Sequence, residues 1–126
     1  MSVFPKNSKV IELTPSDFDK SGKITHKSLE GNKKAMICFT CSWCGWCVKM
    51  KTPYSKTAAI LGDSFPMFNL DCVKYADFAK DMGINGFPTI KYIQRSGKIG
   101  KDYSGDRDVN GFLADICIES RQCRSQ

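Results

Sequence analysis

Short apolar runs alternate with polar segments along the chain, and the runs bounded by turn residues predict β-strands. The predicted strands are residues 10–13, 35–40, 67–70, 89–94 and 99–103. Residues 45–61 and 75–82 predict helices, which Gly62-Asp63-Ser64 and Gly83 end. Residues 108–119 predict an amphipathic helix with one apolar face, formed by Val109, Phe112, Leu113 and Ile116. The pattern therefore predicts strands and helices in alternation, without an internal repeat.

The connecting segments carry turn and capping residues. Residues 14–18 have helix-start chemistry, and residues 20–34 form a polar, loop-rich connection. Arg95-Ser96-Gly97-Lys98 predicts a hairpin turn between the last two strands. Because no segment has the composition of an interdomain linker, residues 1–126 predict a single domain, long enough to bury a core.

The segment Trp43-Cys44-Gly45-Trp46-Cys47 carries the candidate chemistry. It joins the buried strand that ends near Thr40 to the start of a predicted helix. Cys44 would therefore lie at a helix N-terminus, where unpaired N–H groups and the positive end of the dipole favour a thiolate. Cys47 lies one turn later and can reach Cys44. The spacing predicts a reversible disulfide between the two.

The same segment allows a metal site. Cys38, Cys41, Cys44 and Cys47 are evenly spaced, as in overlapping Cys-x-x-Cys pairs of zinc and iron–sulfur sites. Trp43 and Trp46 would crowd a closed metal site, and Cys38 lies inside a strand, where it should point away from a loop-based ligand set. We therefore favour redox chemistry and expect no metal. The alternatives are a non-catalytic metal-binding module, buried structural cysteines without chemistry, and a redox-inactive adaptor that holds a partner.

A second signal lies far along the chain, at Gly86-Phe87-Pro88-Thr89. A proline can occupy the first residue of a strand because it cannot donate to the ladder. An aromatic residue before proline makes a cis peptide bond more frequent. An ordinary trans proline in a loop remains the alternative here.

Together with the cysteine segment, these residues resemble a thioredoxin domain of the protein disulfide isomerase type. Val10-Ile11-Glu12-Leu13-Thr14 resembles the opening strand of that family, and Tyr103-Ser104-Gly105-Asp106-Arg107 its segment before the last helix. The resemblance covers residues 10–118, with residues 1–9 and 119–126 as terminal extensions. It implies an α/β fold, the thioredoxin fold, with a central mixed sheet flanked by helices on both faces.

The resemblance also implies roles for individual residues. Cys44 would be the nucleophile and Cys47 its resolving partner, with a cis Pro88 packed against their disulfide. Backbone groups of Phe87 and Pro88 would pair with an extended substrate chain. Supporting roles fall to Trp43, Gly45, Trp46, Cys38 and Arg107, the last as a group that stabilises the thiolate or, equally, as a surface ion-pair partner.

Three departures from the family pattern stand out. Cys38 occupies the position of a buried family acid, and a thiol cannot act as that base near neutral pH unless its pKa is strongly lowered. Gly45-Trp46 replaces the Gly-Pro or Gly-His dipeptide, so no imidazolium stabilises the thiolate. Pro53 lies six residues after Cys47 instead of five, which predicts a one-residue insertion absorbed by a bulged turn or a shifted kink.

Composition adds expectations about partners. The net charge of +6 favours acidic partners, but no dense basic run with interleaved aromatics predicts nucleic-acid binding. We expect no cofactor and no membrane contact. We expect a monomer that acts on protein disulfides or dithiols and is recycled by a reductase or an oxidase.

The sequence also carries signals about the cellular location of the protein. Residues 1–24 lack the apolar run of a signal peptide, and Arg124-Ser125-Gln126 is not an ER-retention address. With an odd number of cysteines, seven, this predicts a cytoplasmic or otherwise non-secretory, reducing location. Cys72 and Cys117 are expected in the core and His26 on the surface. Cys123 is expected to be exposed and able to form an intermolecular disulfide.

Overall fold

A computed structural model describes residues 2–124 of the chain. Met1, Ser125 and Gln126 lie outside the described residues. The outer ends of the two predicted terminal extensions, and the last two residues of the C-terminal tripeptide, therefore cannot be compared with their predictions.

The strands form a single five-stranded mixed sheet in the order β1-β3-β2-β4-β5. They are β1 (Ile11–Leu13), β2 (Ala35–Thr40), β3 (Met67–Asp71), β4 (Thr89–Ile93) and β5 (Ile99–Asp102). β1 and β2 both pair parallel with β3, whereas β4 is antiparallel to β2 and to β5. β2 and β3 are buried along their whole length, which explains their continuous apolar runs.

The helices are α1 (Gly45–Leu61), α2 (Ala76–Asp81) and α3 (Val109–Ser120). The predicted elements are confirmed, with bounds that differ by a residue or two at their ends. The predicted turn at Gly97 has the positive φ of 89° that favours glycine. Pro53 lies inside α1, and the helix continues beyond it to Leu61.

Two apolar clusters cover the two faces of the sheet. On one face, strand residues such as Met36 and Tyr92 pack against Tyr54 of α1 and Phe112 of α3. On the other face, strand residues such as Phe39 and Leu70 pack against Ala79 of α2. Helices therefore flank both faces, and the α/β architecture is confirmed. No helix within residues 2–124 is long and apolar enough to cross a membrane.

The carboxyl ends of β2 and β3 lie side by side, because Thr40 pairs in register with Asp71. The start of β4 joins them, since Phe39 pairs with Thr89. The segment that holds the cysteines and the segment that holds Pro88 therefore meet at the carboxyl ends of β2 and β3, where open α/β sheets place their sites.

Candidate active site

Cys44 and Cys47 lie at the start of α1. Cys44 is the N-cap residue, with an extended backbone conformation, and its carbonyl accepts a hydrogen bond of 3.1 Å from the N–H of Val48. Cys44 is partly exposed, whereas Cys47, one turn further, is buried. Both are free thiols. The structure therefore places one accessible and one shielded thiol within a single helical turn.

Cys44 is the more acidic of the two. Its partial burial acts to raise the pKa, but hydrogen bonds from the Cys47 thiol and from the N–H groups of Cys47 and Trp46 outweigh it. The charge of Arg107 acts in the same direction. The pKa of Cys44 is therefore below its ordinary value, and the thiolate fraction at neutral pH rises accordingly.

Cys47 shows the opposite shift. Burial is the main cause, and the neighbouring Cys44 adds to it as hydrogen-bond partner and as a charge, so that the pKa of Cys47 rises to about 12. The charge of Cys41 also raises this pKa. Cys47 is therefore protonated when Cys44 is ionised. Its proton is held in the hydrogen bond that stabilises the Cys44 thiolate.

The peptide bond between Phe87 and Pro88 is cis, as the resemblance implied. This bend presents the Phe87 carbonyl oxygen to Cys44, whose Sγ lies 3.5 Å away. Pro88 is buried, and Phe87 is half-buried. The ring of Trp43 meets the ring of Phe87 edge to face, with centroids 6.4 Å apart. The cis-proline loop and the cysteine segment are thus in direct contact.

The surface around Cys44 is aromatic and exposed. Trp43 is 76% exposed and Trp46 64% exposed, and Lys49 Nζ lies 4.9 Å from the centre of the Trp46 ring. Gly45 lies between them, and a Cβ added there would meet nothing within 4 Å. The site therefore opens onto an exposed surface with two tryptophan rings and a cation beside them.

Cys38 lies behind the site in a polar network that joins three strands. Its Sγ donates to Oδ1 of Asn69 at 3.3 Å, and Thr40 Oγ1 donates to the same oxygen at 2.7 Å. Asn69 Nδ2 donates to Oε1 of Glu12 at 2.9 Å. Burial raises the pKa of Cys38 well above its ordinary value, and the charges of Glu12 and Cys47 add to the shift. Cys38 is therefore a neutral hydrogen-bond donor.

Asn69 and Glu12 were missed by the sequence analysis. Asn69 is fully buried in the middle of β3. A lone amide in an otherwise apolar run is a usable signal, because a buried polar side chain needs partners. Glu12 gave a weaker signal, since it lies on the edge strand β1, where an acidic side chain is ordinary.

Cys41 and Cys72 lie just past the last paired residues of β2 and β3, and both are buried. The expectation that Cys72 belongs to the core is confirmed. Despite the even spacing of the four cysteines, no group of three or more His, Cys, Asp or Glu residues within residues 2–124 is arranged to hold a metal ion.

The remaining cysteines lie elsewhere. Cys117 and Cys123 form a disulfide at the end of α3, with Cα atoms 4.3 Å apart. Cys117 is only half-buried, so the expectation that it is a core residue is wrong. Cys123 is exposed, as expected, but it is paired within the chain. This end of α3 lies near the start of β2, because Lys34 Nζ donates to the Glu119 carbonyl at 2.8 Å. It is thus opposite to the cysteine pair of α1.

His26 lies far from this site. It is half-buried, and its Nδ1 accepts a hydrogen bond from the Ser28 N–H at 3.0 Å. Its ring meets the Phe68 ring edge to face. The imidazole therefore caps a short turn and packs on the sheet, away from the two thiols.

Comparison with known proteins agrees with this geometry. The family model described as Thioredoxin matches residues 9–117. A probable protein disulfide-isomerase A6 from Medicago sativa is 37% identical over 119 residues, which cover 93% of this chain and 31% of that protein. A protein disulfide isomerase-like 2-2 from Oryza sativa subsp. japonica is 34% identical over 124 residues, covering 94% of this chain and 32% of the relative. The chain thus spans about a third of the length of these relatives.

The Trx4 domain of ERdj5 is a solved structure with a similar fold. It superposes with a TM-score of 0.69 at 22% sequence identity, covering 89% of this chain and 96% of that domain. The thioredoxin fold implied by the resemblance is confirmed by this match and by the family model.

The expected cytoplasmic or otherwise non-secretory location is wrong. The similar proteins are named protein disulfide isomerases, and this similarity indicates a secretory-pathway location instead. The prediction relied on the ends of the sequence, and these carry no such information in a chain that spans a third of its relatives. The disulfide between Cys117 and Cys123 agrees with an oxidising compartment.

The comparisons agree with one another on the family of this chain. The family model covers most of the chain, and the similar proteins are named protein disulfide isomerases. The chain therefore belongs to the thioredoxin family of thiol–disulfide oxidoreductases.

Proposed function

We propose that this domain reduces, forms or isomerises disulfides in protein substrates through a reversible Cys44–Cys47 disulfide. One observation carries the proposal: an accessible thiol beside the cis-proline loop and a buried thiol lie one turn apart at the start of α1, with the pKa of the first lowered and that of the second raised to about 12. The first is therefore ready to attack at neutral pH. The second stays protonated until it resolves the mixed disulfide.

Reduction of a substrate begins with the Cys44 thiolate. Its sulfur attacks one sulfur of the substrate disulfide, a Cys44–substrate bond forms, and the substrate disulfide breaks. The electron pair leaves on the second substrate sulfur, which takes a proton from water. Loss of the negative charge on Cys44 also removes one of the influences that raise the pKa of Cys47.

Resolution follows from the position of Cys47. Once deprotonated, its sulfur attacks Cys44 and forms the Cys44–Cys47 bond. The substrate sulfur that was bound to Cys44 leaves as a thiolate. Cys38 cannot take the proton, because its thiol already donates to Asn69 and its pKa is raised. Water, or the departing substrate thiolate, is the acceptor. The same steps in reverse oxidise a substrate dithiol.

The surroundings of Cys44 fit a polypeptide substrate. The Phe87 carbonyl lies beside the attacking sulfur, next to the buried cis Pro88, where it can accept a backbone N–H from an extended chain. The exposed rings of Trp43 and Trp46 offer apolar contact on either side, and Gly45 leaves the space between them open. Arg107 favours the thiolate form of Cys44.

Turnover requires a partner that resets the pair. A domain that reduces substrates ends with an oxidised pair and needs a reductase, whereas one that oxidises dithiols needs an oxidase. Both the protein substrates and the recycling partner are part of this proposal.

The roles of the two cysteines are tested by separate variants. Cys44→Ser is expected to abolish reduction of insulin disulfides, while Cys47→Ser is expected to accumulate mixed disulfides that mass spectrometry detects. The control is Cys117→Ser/Cys123→Ser, which removes the disulfide at the opposite end and should leave the rate of insulin reduction unchanged. Insulin reduction by Cys44→Ser at the wild-type rate would contradict the assignment.

A further inference from the structure

Two buried thiols remain that the proposed mechanism does not use, on the neighbouring ends of β2 and β3. The strands are paired in register up to Thr40 and Asp71, and the residues that follow them, just past the two strand ends, are Cys41 and Cys72. The ladder continues into this step, because the Cys72 N–H donates to the Thr40 carbonyl at 2.8 Å. Neighbouring strands lie about 4.8 Å apart, which is within the Cα separation that a disulfide spans.

If the alternation of side chains continues one residue past the strand ends, this pair shares one side of the sheet. Side chains alternate along a strand, so Cys41 shares a face with Phe39, and Cys72 shares one with Leu70. Phe39, Leu70 and Cys72 belong to the same apolar cluster. Cys41 is 1% exposed and Cys72 6% exposed. The two thiols are thus neighbours that bulk oxidants reach poorly.

Cys41 also lies next to Cys47. The backbone of Cys41 makes a hydrogen bond to the Cys47 thiol, and the charge of Cys41 raises the pKa of both Cys47 and Cys72. Cys41 therefore stands between the active pair and Cys72. Cys38, by contrast, is held by its hydrogen bond to Asn69 in the cluster on the other face.

We propose that Cys41 and Cys72 form a second dithiol–disulfide pair that exchanges with the Cys44–Cys47 pair through Cys47. The domain would then store a disulfide in its interior, in a place that no protein substrate can reach. The observation that carries this proposal is the placement of the two cysteines directly after the paired residues Thr40 and Asp71, together with the contact between Cys41 and Cys47.

The exchange balances without any outside oxidant. In the first step Cys41 loses its proton to water, and its thiolate attacks Cys47 in the Cys44–Cys47 disulfide. The Cys41–Cys47 bond forms, the Cys44–Cys47 bond breaks, and the electron pair leaves on Cys44. In the second step the Cys72 thiolate attacks Cys41, the Cys41–Cys72 bond forms and Cys47 leaves as a thiolate. The proton lost by Cys72 is taken up by Cys47.

The acidities of Cys44, Cys47 and Cys72 agree with this route. Cys44 is the better leaving group of the active pair because its pKa is lowered, so attack on Cys47 is the productive direction. In the second step the proton passes between Cys72 and Cys47, and burial, first among the causes, raises the pKa of each to about 12. The transfer of the proton from Cys72 to Cys47 therefore changes the free energy little. The result is a free Cys44 thiolate beside an internal disulfide.

Disulfide mapping of the wild-type protein tests the existence of the pair. After equilibration with excess oxidised glutathione, denaturation and alkylation, we expect only Cys38 to be alkylated, since Cys117 and Cys123 are already paired. Trypsin should then yield peptide 35–49 linked to peptide 57–74, with fragmentation that assigns Cys41 to Cys72. If Cys41 and Cys72 are alkylated together with Cys38 at every ratio of oxidised to reduced glutathione, no Cys41–Cys72 disulfide forms and the proposal is overturned.

A time course tests the exchange itself. The Cys44–Cys47 disulfide is formed with one equivalent of oxidant, the oxidant is removed, and samples are alkylated anaerobically at intervals. In the wild type we expect loss of the Cys44–Cys47 link and matching gain of the Cys41–Cys72 link. Cys72→Ala should accumulate a Cys41–Cys47 link instead, and Cys41→Ala should keep the Cys44–Cys47 link throughout.

The matched control is Cys38→Ala, a buried cysteine of the same strand, which should redistribute its disulfide as the wild type does. A Cys44–Cys47 link that stays unchanged in the wild type overturns the exchange. Formation of the Cys41–Cys72 link in Cys47→Ala, as fast as in the wild type, overturns the route through Cys47. Insulin reduction is measured on the same samples, so failure of the second pair is distinguished from failure of the Cys44–Cys47 chemistry.

Discussion

Cys44 and Cys47 are the same residue type within one helical turn, yet their pKa values move in opposite directions. Burial separates them, because Cys47 is shielded by α1 and the strand end, whereas Cys44 is partly exposed. Their mutual hydrogen bond then widens the difference, since it favours the charged form of one and the neutral form of the other. The pair therefore titrates as a unit in which Cys44 ionises first.

Arg107→Ala is expected to raise the pKa of Cys44, because it removes a positive charge that favours the thiolate. The rate of Cys44 alkylation by iodoacetamide, followed against pH in the reduced protein, should therefore shift toward higher pH. Arg95→Ala is the matched control, since Arg95 donates to the Asn32 carbonyl and does not act on Cys44. Identical pH profiles for Arg107→Ala and the wild type would contradict a role in thiolate stabilisation.

Trp46→His is expected to make the disulfide more oxidising. An imidazolium in the first turn of α1 would stabilise the Cys44 thiolate and hence the reduced form, a stabilisation that the indole ring cannot supply. For the wild type we expect a potential between about −270 and −180 mV, the thioredoxin and disulfide isomerase values. Gel-shift alkylation after equilibration in glutathione buffers measures both. A wild-type value near −120 mV, typical of a strong oxidant, would refute this expectation.

At the scale of the elements, one amide connects the sheet across its centre. Asn69 of β3 pairs in register with Glu12 of β1 on one side and with Cys38 of β2 on the other. Its oxygen accepts two hydrogen bonds from β2, and its nitrogen donates to β1. A side chain that is fully buried and polar is stable here only because each of its groups has a partner.

Asn69→Ala is expected to lower the free energy of unfolding by about 2–3 kcal/mol, because Thr40 and Cys38 lose their acceptor and stay buried. Urea unfolding followed by far-ultraviolet circular dichroism measures the change. Asn110→Ala, on the exposed surface of α3, is the control and should change little. A loss below about 0.5 kcal/mol for Asn69→Ala would show that the network contributes little to stability.

The elements were largely predictable from the sequence, and the reason is physical. β2 and β3 are buried on both faces and carry unbroken apolar runs, and α1 and α3 begin and end at recognisable residues such as Cys44, Gly62 and Asp108. Contacts between strands far apart in sequence were not predictable. The network around Asn69 depends on strand order and register, which no local pattern of residues specifies.

For the whole molecule, stability should depend on pH in the alkaline range. Burial raises the folded-state pKa of Cys47 and of Cys72 to about 12, above their ordinary value near 9.0. Between these limits the unfolded chain loses protons that the folded protein keeps, so the free energy of unfolding falls as pH rises. Below about pH 8 this contribution is fully present.

Urea unfolding of the reduced protein at about pH 8 and about pH 10.5 should therefore show a clear loss of stability at the higher value. Buried tyrosines such as Tyr92, whose pKa is also raised by burial, add to the loss. The double variant Cys47→Ala/Cys72→Ala should lose less over the same interval. Equal losses in the variant and the wild type would show that the two thiols do not ionise with unfolding.

The site was only partly predictable. Cys44, Cys47, Phe87 and Pro88 follow patterns that a reader of the sequence can find, and the structure brings them together. The pairing of Cys117 with Cys123 was missed, because an unpaired cysteine is usually a small buried residue and Cys117 was therefore expected in the core. The adjacency of Cys41 to Cys72 was missed for the same reason as the Asn69 network: it depends on which strands are neighbours.

The chain contains two tryptophans, and both of them flank Cys44 on the surface. Their emission should therefore report the oxidation state of that one cysteine pair and the arrival of a substrate, with no background from the rest of the protein. The same arrangement makes emission a poor probe of denaturation, since both rings are already largely in water when the chain is folded. A change in fluorescence here is a local event, to be read as chemistry and not as melting.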